Sequence, residues 1–459
     1  MIGSCLAEFV RRGAQQLEAD DPELFDLIDH EFHRQNTTLS MVASCSPADP
    51  SALACEGSFL SNVTAEGYPG ARYHAGCQYV DQIEQLAIDR ATRAFKARYA
   101  NVQPHSATTA NLTVLSRLLE PHDAILGMDL DAGGHLTHGA QGSFSGQYFD
   151  AACYGLTDSG VIDYQQVDRL AHQHRPKLII CGTTAYPRAI DFASLREIAD
   201  SVGAWLLADI THIAGLVIAG EHASPIDHAH ITTTCTHKQL YGPRGGVILL
   251  GKDWETPGPG NVPLFKLMQS GVFPFFQGAP NVNAVAAKAR VLAMAMTPGF
   301  TALARRIVAN SRAMAARLQD RGVRVVGGGT DNHIVLVDVL STFGVTGIVA
   351  QQALEECGIV VNKNRIPADR KPTSIASGIR IGTNNVAARG LDAQAMEECA
   401  DLVCQVLNAI EAVDDRLYAL APAKQAECRD IVAHLCQRFP LPGYADCSET
   451  GPARLPGPR

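Results

Sequence analysis

The sequence of 459 residues lacks any basic block or stripe, and its formal charge is −9, which argues against a nucleic-acid partner because nothing would neutralise a phosphate backbone. It also lacks a run approaching the roughly twenty apolar residues of a membrane span. The N-terminus, Met1 to Arg12, has no long apolar region of the kind an export signal carries, so neither export nor anchoring is expected. Paired CxxC spacing is missing among the thirteen cysteines. Those in apolar stretches such as Leu178 to Cys181 read as reduced core residues, which excludes a disulfide framework and points to the cytoplasm. No internal repeat is present. What remains is 46% hydrophobic and 19% charged, enough for a large core divided into two or more domains that act on small molecules.

From about Asp89 to Val247, helical stretches alternate with short apolar runs. Ala124–Leu130, Lys177–Cys181, Ala204–Asp209 and Gly246–Leu250 read as buried strands of a mostly parallel sheet. Between them lie helical patterns such as Phe192–Val202, with Ser194 as an early cap. Val282–Gln319 reads as one long linking helix, and Arg321–Val326 and Asn332–Asp338 as strands of a smaller α+β domain. The expected division is a helical arm (1–40), a large α/β domain (41–290), a small domain including the linking helix (291–420) and a C-terminal extension (421–459), frayed from about Pro440.

The chemistry concentrates in Thr232–Gly246. Lys238 follows a polar β-branched run and His237 and precedes Gly242-Pro-Arg-Gly-Gly246, a setting suited to a Schiff-base lysine of pyridoxal phosphate (PLP) rather than to a solvated surface lysine. Asp209, ending an apolar strand, is placed to hold the pyridine nitrogen protonated; a strand-end turn carboxylate is the alternative. Ser106, Ala107 and Thr108 open a helix and form a candidate phosphate site, or a plain N-cap. His135 and His138, at i and i+3, lack a third partner at ligand spacing, so no metal is expected; His135 suits stacking on the cofactor, and His138 a structural role. Arg380, on an apolar strand, suits a clamp for an amino-acid carboxylate or a structural ion pair. Glu66, in a turn-rich segment, is a candidate proton shuttle or an ordinary loop carboxylate.

Collinear motifs from about Met41 to Asn408 resemble the serine hydroxymethyltransferase family of fold-type I PLP enzymes. They are Ala65-Glu-Gly-Tyr-Pro-Gly70, Tyr79–Ala87, Gly133-Gly-His-Leu-Thr-His-Gly139, Thr236-His-Lys238, Gly242–Gly246, Gly328–His333 and Val361–Asn364. The resemblance implies Lys238 as the Schiff-base lysine, Asp209 at the ring nitrogen, His212 near the phenolic oxygen and His135 on the ring. It further implies Ser106 and Thr108 at the phosphate, Arg380 at the carboxylate, Glu66 in proton transfer, and a homodimer or homotetramer with shared sites. Thr184 and His237 join the candidate cofactor contacts; Ser44, Thr64 and Tyr73 the candidate substrate contacts.

Departures from the family pattern fall on the acceptor side: Cys45-Ser46 for Glu-Asn, Thr64 and His74 for two tyrosines, Phe275-Phe276 for a glycine pair, Ala132 for a histidine and Asn384 for a proline. They favour a transaldolase-like enzyme that cleaves threonine or serine to a PLP-bound glycine carbanion and adds it to another aldehyde, with His74 relaying a proton. The alternative is a hydroxymethyltransferase using tetrahydrofolate on serine and glycine or an α-methyl analogue, its pterin slot lined by Leu130, Leu136, Tyr73 and Asn364. A catalytically silent scaffold is a third reading.

Overall fold

Apolar runs separated by helices must be buried on both faces, and a parallel sheet covered by helices achieves this. In the computed structural model, which describes residues 2–444, seven strands form such a sheet. They are β1 (Tyr99–Asn101), β2 (Ala124–Met128), β3 (Asp150–Tyr154), β4 (Leu178–Gly182), β5 (Trp205–Asp209), β6 (Ile231–Cys235) and β7 (Gly246–Leu250). Their order is β1-β7-β6-β5-β4-β2-β3; β7 is antiparallel to both neighbours and the other pairs are parallel. Every residue of β4, β6 and β7 is buried. Successive residues point to opposite faces, so Ile179 and Leu206 enter one core while Leu178, Ile180 and Leu207 enter another.

A smaller antiparallel sheet of β8 (Arg324–Val325), β9 (Ile334–Asp338), β10 (Asn362–Asn364) and β11 (Gly378–Gly382), in the order β8-β9-β11-β10, packs on its own core around Met314, Val335, Ile379 and Val403. At the N-terminus, helices Ile2–Asp20 and Pro22–Thr37 leave Phe9, Val10, Leu24, Leu27 and Ile28 exposed. The portion of the expected frayed end beyond residue 444 lies outside the described residues. Among those described, no single helix is long and apolar enough to cross a membrane, and the cysteines are free.

Two local expectations need correction. The linking helix is two helices, Val282–Ala295 and Pro298–Asp320, bent by 80°. Pro298 supplies no N–H and pushes Thr297 to extended backbone (ψ 152°), whose hydroxyl then caps the second helix by accepting from the Phe300 N–H. Helix Phe192–Val202 is capped by Asp191 rather than Ser194, its carboxylate accepting from the N–H groups of Ala193 and Ser194.

The carboxyl ends of β2, β4, β5 and β6 lead into the segments carrying His135, Thr184, His212 and Lys238, and Asp209 ends β5 itself. In an open α/β sheet this edge is where ligands bind.

Candidate active site

Asp209 is buried at the end of β5, where an isolated carboxylate would be costly. It is not isolated. Oδ2 accepts from Asn111 Nδ2 at 2.8 Å and lies 3.2 Å from His138 Nε2, and Oδ1 accepts from the Thr211 N–H at 3.0 Å. Burial alone would raise its pKa, but the hydrogen bond with His138 leads the opposing contributions, and the carboxyl is held below its ordinary value. Three accepted bonds leave one of about four carboxylate acceptor positions free, which suits a protonated pyridine nitrogen.

His138, expected to be structural alone, therefore contacts the carboxylate. It is also the third-partner problem solved in reverse: ligand atoms of His135, His138 and Asp209 lie within 4.8 Å of one another, a closeness that the i, i+3 spacing did not reveal. Of the three side chains only His138 and Asp209 are bonded to each other, and Asp209 Oδ2 is already shared by Asn111 and His138. His135 Nδ1 lies 2.7 Å from Thr137 Oγ1, and burial pushes its pKa down to about 4, so the ring is neutral near pH 7.

Lys238 follows β6 and its Nζ lies 2.7 Å from His212 Nε2. Burial lowers the pKa of Lys238, and that of His212 well below the usual imidazole range. His212 Nδ1 and His237 Nδ1 are buried without a partner among the described residues. Behind His212 stands His333, its ring stacked at 5.7 Å and held by burial at a pKa of about 3.

At helix Ala107–Leu118, Ser106 is the N-cap and its hydroxyl accepts from the Thr109 N–H at 3.0 Å. The cap therefore exists, and it leaves the Ala107 and Thr108 N–H groups for an anion. Arg380 on β11 donates through Nε to Asn362 Oδ1 at 3.0 Å and through Nη1 to the Thr184 carbonyl. Thr184 Oγ1 in turn donates to the Gly134 carbonyl at 2.8 Å. Arg380 has no carboxylate within salt-bridge distance among the described residues, so the structural ion pair weighed for it is not formed. A cavity of about 490 Å³, lined in part by Ser44, Cys45, His237 and Arg244, lies beside this end of the sheet.

The acceptor-side residues are elsewhere in character. Thr64, Tyr73 and His74 are exposed, Tyr73 at 74%. Glu66 Oε2 lies 3.4 Å from His74 Nε2, and Phe275 stands exposed beneath the Arg117 guanidinium, 5.4 Å from the ring centre. Leu130 and Leu136, expected to line a pterin slot, are also exposed.

The donor set fits PLP: an amine for the aldehyde, a buried carboxylate for the ring nitrogen and a helix N-terminus for the phosphate. Asn111 and His333 belong to this site and were not assigned roles from sequence, and His138 was read as structural; the motifs Gly133–Gly139 and Gly328–His333 carried the two histidines, whereas Asn111 sits unmarked within a helix.

The serine hydroxymethyltransferase family model matches residues 17–403. The chain is 46% identical over 437 residues to a protein of Synechococcus sp. (strain JA-3-3Ab) named serine hydroxymethyltransferase, covering 93% of this chain and 96% of that one. Proteins of the same name from Halorhodospira halophila and Alkalilimnicola ehrlichii are each 47% identical, covering 92% of this chain and 97% and 96% of theirs. These matches over more than nine-tenths of each chain overturn the transaldolase expectation: the departures, exposed at Thr64, His74 and Phe275 and buried at Ala132 and Asn384, occur in a chain otherwise like proteins named for hydroxymethyl transfer. The protein is a PLP-dependent transferase, and the chain belongs to the serine hydroxymethyltransferase family.

Proposed function

We propose that this protein transfers a hydroxymethyl group between serine and tetrahydrofolate, with glycine as the other amino acid. The observation that carries the reading is the likeness, over more than nine-tenths of the chain, to proteins named for that activity. PLP, when bound, supplies an electron sink conjugated to the amino acid's α-carbon. Asp209 keeps negative charge at the ring nitrogen, and Asn111 and His138 fix its orientation. Lys238, its pKa lowered by burial, holds or yields a proton at Nζ beside neutral His212. Arg380 binds the substrate carboxylate through the donors that Asn362 and Thr184 leave free. Glu66 handles the hydroxyl proton, with His74 beside it.

The same reading makes the working unit a homodimer or homotetramer in which exposed Thr64, Tyr73 and His74 complete a neighbour's site, and places it in the cytoplasm, where its free thiols stay reduced. The test is glycine formation from L-serine by the PLP-loaded protein with and without tetrahydrofolate. Folate-dependent turnover is expected; serine cleavage indifferent to folate would refute the reading.

A further inference from the structure

Lys288 lies inside the alanine-rich helix Val282–Ala295 and is 2% exposed, although it neither faces the catalytic groups nor pairs with a carboxylate. Its three ammonium hydrogens are all used: Nζ donates to the carbonyls of Val102 at 2.6 Å, Pro104 at 3.0 Å and Gly246 at 2.9 Å. The Pro104 carbonyl also accepts from the Gly246 N–H at 2.8 Å. These carbonyls belong to two separate segments, the approach to helix Ala107–Leu118 and the start of β7, so one side chain ties both together.

The glycine pair reflects the same crowding. A Cβ on Gly245 would stand 2.3 Å from Lys288 Cε, and one on Gly246 would stand 2.2 Å from the Ser106 carbonyl oxygen. From the other side, Gln277 donates to the Gln103 carbonyl at 3.1 Å and accepts from the His105 N–H at 2.9 Å. The segment Val102–Ser106 is thus bonded at both edges before any ligand arrives, and the N–H groups without an acceptor at its helix end, among the described residues, are those of Ser106, Ala107 and Thr108.

We propose that Lys288 is a positioning residue for the cofactor phosphate, holding the N-terminus of helix Ala107–Leu118 as a preformed anion cradle from a place where it cannot touch the phosphate. The inference rests on the reading of that helix end as the phosphate site. An apolar side chain at 288 would leave the carbonyls of Val102 and Pro104 without the lysine and the cradle free to shift.

The experiment resolves the holoenzyme and titrates it with PLP and with pyridoxal, which has the same ring and aldehyde and no phosphate. Lys288→Met is expected to weaken PLP by about tenfold or more while pyridoxal binding stays as in the unmutated protein. Gly245→Ala, which displaces the lysine without removing it, should do the same and carries the test if Lys288→Met does not fold. Equal loss of both ligands, or full PLP affinity in a folded variant, would overturn the proposal. If the unmutated protein binds PLP no more tightly than pyridoxal, the phosphate-site reading fails first, and the proposal falls with it.

Discussion

Two parts of this molecule handle polar groups in opposite ways. At the carboxyl ends of the large sheet's strands, Asp209, Asn111 and His138 are buried and bonded to one another, with His212 and Lys238 paired beside them. At the rim, Thr64, Tyr73, His74 and Phe275 are exposed, and Glu66 is only partly covered. A buried polar group left unpaired loses its hydration without recompense, so each member of the inner set constrains the others; a solvated side chain is under no such constraint. The comparison explains why the family's chemistry is legible in the inner set while Thr64, His74 and Phe275 depart at the solvated rim; the buried departures Ala132 and Asn384 lie outside that explanation, and the departures as a group were a poor guide to the reaction.

The sharpest way to break the comparison is at its inner end. Lys238→Ala should abolish glycine formation from serine, measured at saturating PLP, and retained turnover would remove the lysine from its assigned role. Asp209→Asn keeps the shape and removes the charge, and should lower kcat by on the order of 10²-fold or more. Asp209→Ala should also lower the thermal midpoint, because it strips Asn111 and His138 of their acceptor.

A third prediction concerns pH. Burial lowers His135, His230 and His237 to about 4 and His333 to about 3, against about 6.5 in an unfolded chain. Between those values the unfolded chain binds more protons than the folded one, so stability rises with pH there. The apoprotein's melting temperature should therefore fall as pH drops from 6.5 towards 4, and His333→Gln should flatten part of that slope. A flat profile in the unmutated protein would show that these imidazoles are not held neutral.

The smallest effects belong to the rim. Phe275→Gly and His74→Tyr should change the KM for tetrahydrofolate a few-fold and leave the absorbance of bound PLP unchanged. A loss as large as that of Asp209→Asn would erase the distinction between the two regions.

Much of the fold was legible because its signals are local. Apolar runs marked β2, β4, β5 and β7 to within two residues, since a strand buried on both faces leaves little choice of residue. The break at Pro298 was missed although its cause is local too: an alanine-rich pattern masked a proline whose ring ends one helix and starts another. The Asp191 cap was displaced to Ser194 because both residues are good caps and only the backbone decides between them.

The sequence by itself determined the residue types of the site and the elements that carry them: Lys238 before a glycine-rich turn, Asp209 ending a strand, Ser106 opening a helix, and motifs enough to identify the family. Only the tertiary structure decided who pairs with whom. Asn111 reaches Asp209 across 98 residues, His333 stacks behind His212, and Lys288 joins carbonyls 186 and 42 residues away. The reason is physical: strand burial, turns and caps are set by neighbours along the chain, whereas a buried hydrogen bond or ion contact is set by which segments the sheet order brings together.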